Sequence, residues 1–285
     1  MRVQVSGFPA AGSDDDPLGL VTRSADRLLR SAGALSDAAL RAPSELPGWT
    51  RGHVLAHVTH SADAYVWLLG LARTGREPGP RRDRAALAAA LERDAALPAG
   101  RLTALLRESL GRFTAQARTT PAPAWDHLVA ALAGWRHPAW YLLLRCLREL
   151  ETHHLDLGTG YGTEQWPGAY VSWALDDTLG TLRTQGFALA SVEAVDLGRR
   201  WTLAAQGPSV TAAGHRILGW LTGRLPAEAL AIDPLSADAL PPDALPADVL
   251  IADAPIARAP AHLLPRPPAW PQPPLPGWGR VGDDV

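Results

Sequence analysis

The sequence contains no lysine and a single cysteine, and both scarcities exclude particular kinds of chemistry. Without lysine, Schiff-base and lysine-nucleophile mechanisms are ruled out. With one cysteine, Cys146, the chain cannot form an intramolecular disulfide, which suits a reducing cytoplasm. Cys146 lies among Leu143, Leu144 and Leu147, a setting typical of a buried, inert thiol rather than a nucleophile.

Strong charge and long apolar runs are also missing. The formal net charge is -2, so we expect neither nucleic acid nor an anionic membrane surface as a partner. No run approaches the ~18 apolar residues that a membrane span needs. The first residues, "MRVQVSGFPAAGSDDDP", lack the apolar core of a signal peptide. The sequence therefore predicts a soluble, cytoplasmic protein, which we also expect to be a monomer or homodimer.

Apolar residues, 47% of the 285, are sufficient for one large core or two smaller ones. Residues 1–16 are predicted to be a flexible extension, and Asp16-Pro17 has the pattern of a helix N-cap followed by proline at the first helical position. Helical periodicity then predicts a bundle within 17–192. The first helical stretch begins at Pro17. The others cover about 51–73, 83–118 with a restart at Pro98, 138–158 and 168–190. This pattern indicates a mainly α protein with an antiparallel four-helix bundle.

A change in pattern near residue 195 indicates a second, smaller domain at 193–264. The segment "RRWTLAAQGPSVTAAGHRILGWLTGR" predicts a strand, a Gly-Pro turn, a short strand and a helix over about 214–223, with "ALAID" as a returning strand. This order is typical of a small α+β domain. Residues 265–285 are so rich in proline that we expect a tail without regular helix or central strand.

Two histidine-rich stretches suggest a metal site. "GWTRGHVLAHVTH" carries His53, His57 and His60, and "RELETHHLDLG" carries Glu149 and His153 four residues apart. Residues at that spacing share one helical face, and zinc is commonly held by imidazole nitrogens and carboxylate oxygens. Glu149 and His153 could therefore share an ion with a third ligand from the first stretch.

Spacing alone leaves other ligand sets open. His53 and His57 are also four residues apart, and Glu151 and His154 are three apart. The carboxylates could equally form a solvated face that pairs with neighbouring arginines. Periodicity does not determine which face of each helix points inward.

The same stretches carry a family resemblance. "LPGWTRGHVLAHVTHSADA" and "RELETHHLDLGTGY", followed by "WTLAAQGPSVTAAGHRILGWLTGR", resemble the mycothiol-dependent maleylpyruvate isomerases over about 17–232. The resemblance implies a DinB-like metal-binding four-helix bundle followed by a sterol-carrier-like α+β domain.

The resemblance also implies particular site residues. The metal, Zn²⁺ or another divalent ion, would be held by His57, Glu149 and His153, with Asp156 orienting a ligand. Arg224 in "LTGR" would be the catalytic arginine, although a charge at a helix C-terminus is also favoured by the helix dipole. Asp156 could instead simply face water.

The implied cofactor is mycothiol, and the implied reaction is thiol addition to an electrophilic substrate, giving cis–trans isomerisation or S-transfer. The sequence is therefore interpreted as a thiol-dependent metalloenzyme whose partners are a small-molecule thiol and its electrophile. Three alternatives stay open: a mycothiol S-transferase in detoxification or natural-product biosynthesis, a zinc-dependent hydrolase, and a non-enzymatic ligand-binding protein.

Overall fold

The computed structural model describes two compact units. The described residues are 16–81, 83–231, 264–269 and 278–281. Of these, residues 16–170 and 278–281 form the first unit, and residues 171–231 and 264–269 form the second.

Parts of the predicted domain scheme lie outside the described residues. This holds for all but the last residue of the predicted extension at 1–16 and for most of the predicted tail at 265–285. The boundaries predicted at 17–192 and 193–264 stay predictions.

The first unit is built mainly from helices whose ends follow local sequence signals. Its α-helices are α1 (Pro17–Gly33), α2 (Asp37–Arg41), α3 (Arg51–Thr74), α4 (Arg84–Ala95), α5 (Ala99–Arg118) and α6 (Tyr141–Asp156). The Asp16 carboxylate accepts a hydrogen bond of 2.7 Å from the Gly19 amide and so caps α1, as predicted. Thr50 caps α3 in the same way. Gly75 ends α3 with φ of 68°, a left-handed conformation that favours glycine.

Helices α1, α3, α5 and α6 form a four-helix bundle, because α1 and α3 each pack against both α5 and α6. Helices α3 and α6 run antiparallel. His57, near the start of α3, contacts His153 near the end of α6, whereas Tyr65 further along α3 contacts Arg145 near the start of α6. The N-terminal half of α3 therefore meets the C-terminal half of α6.

Helix α1 runs in the same direction as α6. Ser24 contacts Glu151, and Ser31, two turns later, contacts His154. Two parallel neighbouring helices need a long connection between them. Helices α3 and α5 are joined by such a connection, which includes α4.

A short hairpin precedes α6 in the first unit. Strands β1 (Leu128–Ala130) and β2 (Arg136–Pro138) pair antiparallel, with Val129 opposite His137. The described C-terminal residues pack here, since Trp278 lies 5.7 Å from Trp140 and 5.3 Å from Tyr141 between ring centroids. This part of the chain thus belongs to the first unit. The sequence did not predict the hairpin.

Burial of His137 should make the protein less stable in acid. Only 1% of His137 is exposed. Burial and the charge of Arg145 lower its pKa to about 4, although the hydrogen bond with the Pro138 carbonyl raises it. An unfolded histidine has a pKa of ~6.5 and so takes up a proton before His137 does in the folded protein. The free energy of unfolding is therefore highest above pH ~6.5 and falls by on the order of 2 kcal/mol by pH 4.5. Urea unfolding of wild type and His137→Gln between pH 7.5 and 4.5 measures this. The variant, which has no imidazole to protonate, should show a flatter pH dependence; parallel curves would contradict the assignment.

The second unit combines helices with a three-stranded sheet. It contains α7 (Gly168–Thr184) from residue 171 onward, β3 (Ser191–Ala194), β4 (Arg199–Thr202), β5 (Ser209–Ala212) and α8 (Gly214–Leu221). The central strand β3 is antiparallel to β4 and parallel to β5. Asp196 accepts a hydrogen bond of 2.7 Å from the Gly214 amide and thereby fixes the start of α8.

The predicted fold class is confirmed: the protein is mainly α, with a four-helix bundle followed by a small α+β unit. The strand predicted at "ALAID" is wrong over its described residues, 229–231, because Ala227–Ala231 form a 3₁₀ turn; residues 232 and 233 lie outside the described residues. Alanine and glutamate, which dominate this turn, have low β-propensity. Among the described helices, none combines the length and apolar character required to cross a bilayer.

Candidate metal centre

The structure brings His57, Glu149 and His153 together at one end of the bundle. Glu149 and His153 lie one turn apart on α6, and α3 supplies His57. The Nε2 atoms of His57 and His153 lie 3.0 Å and 3.2 Å from the same Glu149 carboxylate oxygen, Oε2. One ligand atom from each residue lies within 4.8 Å of the other two. The i,i+4 pair and the histidine predicted from α3 are thus adjacent.

Two neighbouring side chains orient this group. His153 Nδ1 lies 2.9 Å from Oδ2 of Asp156, whose side chain is 1% exposed. An imidazole N–H held by a carboxylate leaves the other ring nitrogen, here Nε2, free to act as a ligand. The Tyr65 hydroxyl donates a 3.3 Å hydrogen bond to the second oxygen of Glu149, Oε1. Both contacts fix the side chains that face the centre.

The group carries opposite charges that stabilise each other. Burial opposes ionisation of Glu149, yet hydrogen bonds from His153 and His57 outweigh it and hold the pKa of the carboxyl well below its usual range. Burial also opposes protonation of His153, but Asp156 and Glu149 raise its pKa to about 9. A bound cation would replace the proton on His153 as the positive charge between these carboxylates.

The donor set fits a divalent ion such as zinc. With Zn–N and Zn–O bonds of roughly 2.0–2.2 Å, neighbouring ligand atoms of a tetrahedral site lie about 3.3 Å apart. The two distances to Glu149 Oε2 are close to that value. Two histidines and one carboxylate are also a ligand set of catalytic zinc sites, which keep a further position open.

Other histidines considered as ligands are engaged elsewhere. The His53 ring caps α3 through Nδ1 and lies 3.2 Å from Glu92 through Nε2. His60 Nε2 lies 2.7 Å from Asp94. The alternative pair of His53 with His57 therefore does not converge on a shared point.

The second alternative pair, Glu151 with His154, faces α1 rather than α3. Glu151 accepts hydrogen bonds from Ser24, Arg27 and the Tyr161 hydroxyl. The His154 ring stacks on Tyr161 with centroids 3.8 Å apart. This cluster joins α1 to α6 and the following loop, and its polar atoms hold the bundle together.

The remaining predicted residues, Arg224 and Cys146, differ in setting. Arg224 belongs to the second unit, follows α8, and donates a 2.7 Å hydrogen bond to the Thr222 carbonyl. Its catalytic role stays a prediction. Cys146 is 1% exposed, and burial raises the pKa of its thiol, as does the Glu149 charge, so the expected inert thiol agrees with its surroundings.

Sequence reasoning missed three residues around the centre. The Trp49 ring lies 5.5 Å from that of His57 and forms one wall. The Tyr65 hydroxyl contacts Glu149, and Arg145 lies over the Tyr65 ring at 5.3 Å. Arg145 and Glu149 are four residues apart, so the sequence indicated that their side chains are close and suggested an ion pair between them. That ion pair is not formed, because Arg145 instead contacts His137.

Comparisons with known proteins point to one family. The family model "Mycothiol maleylpyruvate isomerase N-terminal domain" matches residues 21–158. Two similar solved structures are both of a mycothiol-dependent maleylpyruvate isomerase. One is 26% identical and the other, a histidine-to-alanine mutant, is 25% identical; each has a TM-score of 0.67 and covers 73% of this chain and 88% of its own. No curated protein sequence matches the chain. The predicted resemblance is confirmed: residues 21–158 match the model of the mycothiol maleylpyruvate isomerase N-terminal domain, and the similar solved structures are of a mycothiol-dependent maleylpyruvate isomerase.

Proposed function

We propose that this protein is a metal-dependent enzyme of the maleylpyruvate isomerase type, which uses mycothiol for addition to an electrophilic substrate. The observation that carries the proposal is the convergence of His57, Glu149 and His153 within a fold shared with a mycothiol-dependent isomerase. Cis–trans isomerisation is the reaction that this similarity favours, and S-transfer is the related outcome when the thiol stays attached. Arg224 would hold a substrate carboxylate.

His57, Glu149 and His153 would hold the divalent ion, with zinc the best match to their chemistry. When both are bound, the ion supplies positive charge that keeps a thiol ionised at neutral pH, and mycothiol supplies the sulfur nucleophile. Asp156 orients His153, and Tyr65 orients Glu149. The Trp49 ring lies against His57 on one side of the centre. A cytoplasmic location and a monomeric or homodimeric state stay predictions.

The test is to incubate the zinc-loaded protein with maleylpyruvate, with and without mycothiol, and to follow products by mass and absorbance. We expect a product of unchanged mass that forms only with thiol, because addition and elimination return the thiol unchanged. A product heavier by the thiol would indicate an S-transferase. Turnover by water without thiol would indicate a hydrolase, and a protein that takes up no zinc and shows no turnover would favour a ligand-binding role. Either of the last two results overturns the proposal.

A further inference from the structure

One arginine joins the start of α3 to the end of α6, the two helices that carry the candidate metal ligands. The Arg51 guanidinium donates hydrogen bonds to the Leu157 and Gly158 carbonyl oxygens, at 2.7 Å from Nε and at 3.2 Å from Nη2. Its remaining nitrogen, Nη1, donates to the Ala39 carbonyl of α2 at 3.3 Å. All three guanidinium nitrogens therefore donate to backbone carbonyls outside α3.

The charge of Arg51 is unfavourable for its own helix and favourable for α6. Arg51 is the first residue of α3, and the helix dipole is positive at that end. The last carbonyls of α6 have no partner within the helix, and the dipole there is negative. A planar guanidinium, whose donors form a fixed fork, suits two neighbouring carbonyls. Arg51 therefore stabilises the junction between the two helices rather than α3 itself.

A second link between the same helix ends comes from the loop before α3. The Glu45 amide donates a 2.9 Å hydrogen bond to the Asp156 carbonyl. The loop is closed on itself, since the amide and the hydroxyl of Ser44 each donate to the Trp49 carbonyl at 2.9 Å. The loop and Arg51 thus hold the start of α3 against the end of α6.

This junction lies close to the candidate metal centre. With a rise of about 1.5 Å per residue, His57 lies ~9 Å along α3 from Arg51. On α6, Leu157 lies ~6 Å along the axis from His153 by the same rise. Helices transmit a displacement over so short a distance, so a shift of α3 at the junction would move His57 relative to the ligands of α6. Metal–ligand distances vary by only about 0.2 Å, which makes the site sensitive to such a shift.

We propose that Arg51 is a positioning residue of the metal centre, which holds the histidine of α3 at the distance from the two ligands of α6 that one divalent ion requires. Arg51 is not itself a ligand, because a guanidinium has donors and no acceptor. The inference rests on the proposed function for the presence of the metal. Metal affinity, however, can be measured without thiol or substrate.

The test is the zinc affinity of the full-length protein, measured by competition with a fluorescent chelator. We expect Arg51→Gln to weaken zinc binding about tenfold, the lower end of what loss of a group that supports a metal ligand costs. Arg51→Lys keeps the charge but not the fork, so it should weaken binding by a smaller factor. Thermal unfolding checks that each variant is folded, and Arg51→Lys carries the test if Arg51→Gln is not.

Arg112→Gln is the matched control. Arg112 on α5 also holds α3, since its Nη2 donates to the Asp63 carboxylate at 2.7 Å, but it joins α3 to α5 and not to α6. This variant should bind zinc as wild type does. A loss equal to that of Arg51→Gln would mean that any loosened contact of α3 weakens the site, and would overturn the inference.

Combination with His57→Ala separates positioning from a general loss of stability. In that background only the ligands of α6 remain, so the placement of α3 no longer affects them. Arg51→Gln should then change zinc affinity by less than about twofold, a strong departure from additivity. The same tenfold loss in both backgrounds would overturn the inference, as would wild-type affinity of the folded Arg51 variants.

These measurements also distinguish the inference from the proposed function. Coupling between Arg51 and His57 without thiol-dependent turnover would leave the positioning role standing and reject the proposed function. Thiol-dependent turnover with no effect of Arg51 on zinc affinity would reject the positioning role alone. A wild-type protein that binds no zinc would overturn both.

Discussion

Replacing His57 with alanine should remove most of the tightly bound zinc and abolish thiol-dependent turnover. His57 is the only ligand that α3 contributes to the group, so Glu149 and His153 alone would have to hold the ion from one helix. Structural sites with four ligands bind zinc with a free energy of roughly 10–16 kcal/mol, which is about 2.5–4 kcal/mol for each ligand. Loss of one ligand should therefore weaken zinc affinity on the order of a hundred- to thousandfold. Zinc content by mass spectrometry and competition with a fluorescent chelator measure the change.

His60→Ala is the matched control for this experiment. His60 lies on the same helix, one turn further on, and its Nε2 contacts Asp94 rather than Glu149. Its removal should leave one zinc per chain, because it changes histidine content on α3 without touching the three proposed ligands. Equal zinc content in wild type and His57→Ala would reject the ligand assignment.

The local part of this site could be predicted from sequence. Glu149 and His153 are four residues apart on a helix, and that spacing is enough to place both on one face. Spacing could not choose His57 over His53 or His60, because the choice depends on how α3 is rotated against α6. The family resemblance made that choice, and the structure places His57 beside the pair.

Features that depend on contacts distant in sequence could not be predicted. Strands β1 and β2 have only three residues each, too few for a period-two pattern to stand out. The position of Arg145 shows the same limit. It was close to Glu149 in sequence, yet it binds His137 on the hairpin, whose presence the sequence did not reveal.

Replacing Asp156 with asparagine should lower zinc affinity about ten- to hundredfold while leaving the fold intact. The Asp156 side chain is 1% exposed and lies 2.9 Å from His153 Nδ1, so it fixes the ring and makes Nε2 a better donor. Asparagine is close in shape but carries no charge, and loss of a carboxylate behind a ligating histidine typically has an effect of this size. Chelator competition measures the affinity, and added zinc should restore turnover, which a folding defect would not allow.

Asp94→Asn provides the comparison for Asp156. Asp94 also holds a histidine, His60, at 2.7 Å, but that histidine is not one of the three proposed ligands. Both substitutions remove one negative charge from a contact with an imidazole, but Asp94 is 21% exposed whereas Asp156 is 1% exposed. Zinc affinity should fall in Asp156→Asn and stay unchanged in Asp94→Asn. Equal effects of both substitutions would mean that Asp156 acts through general electrostatics and not through His153.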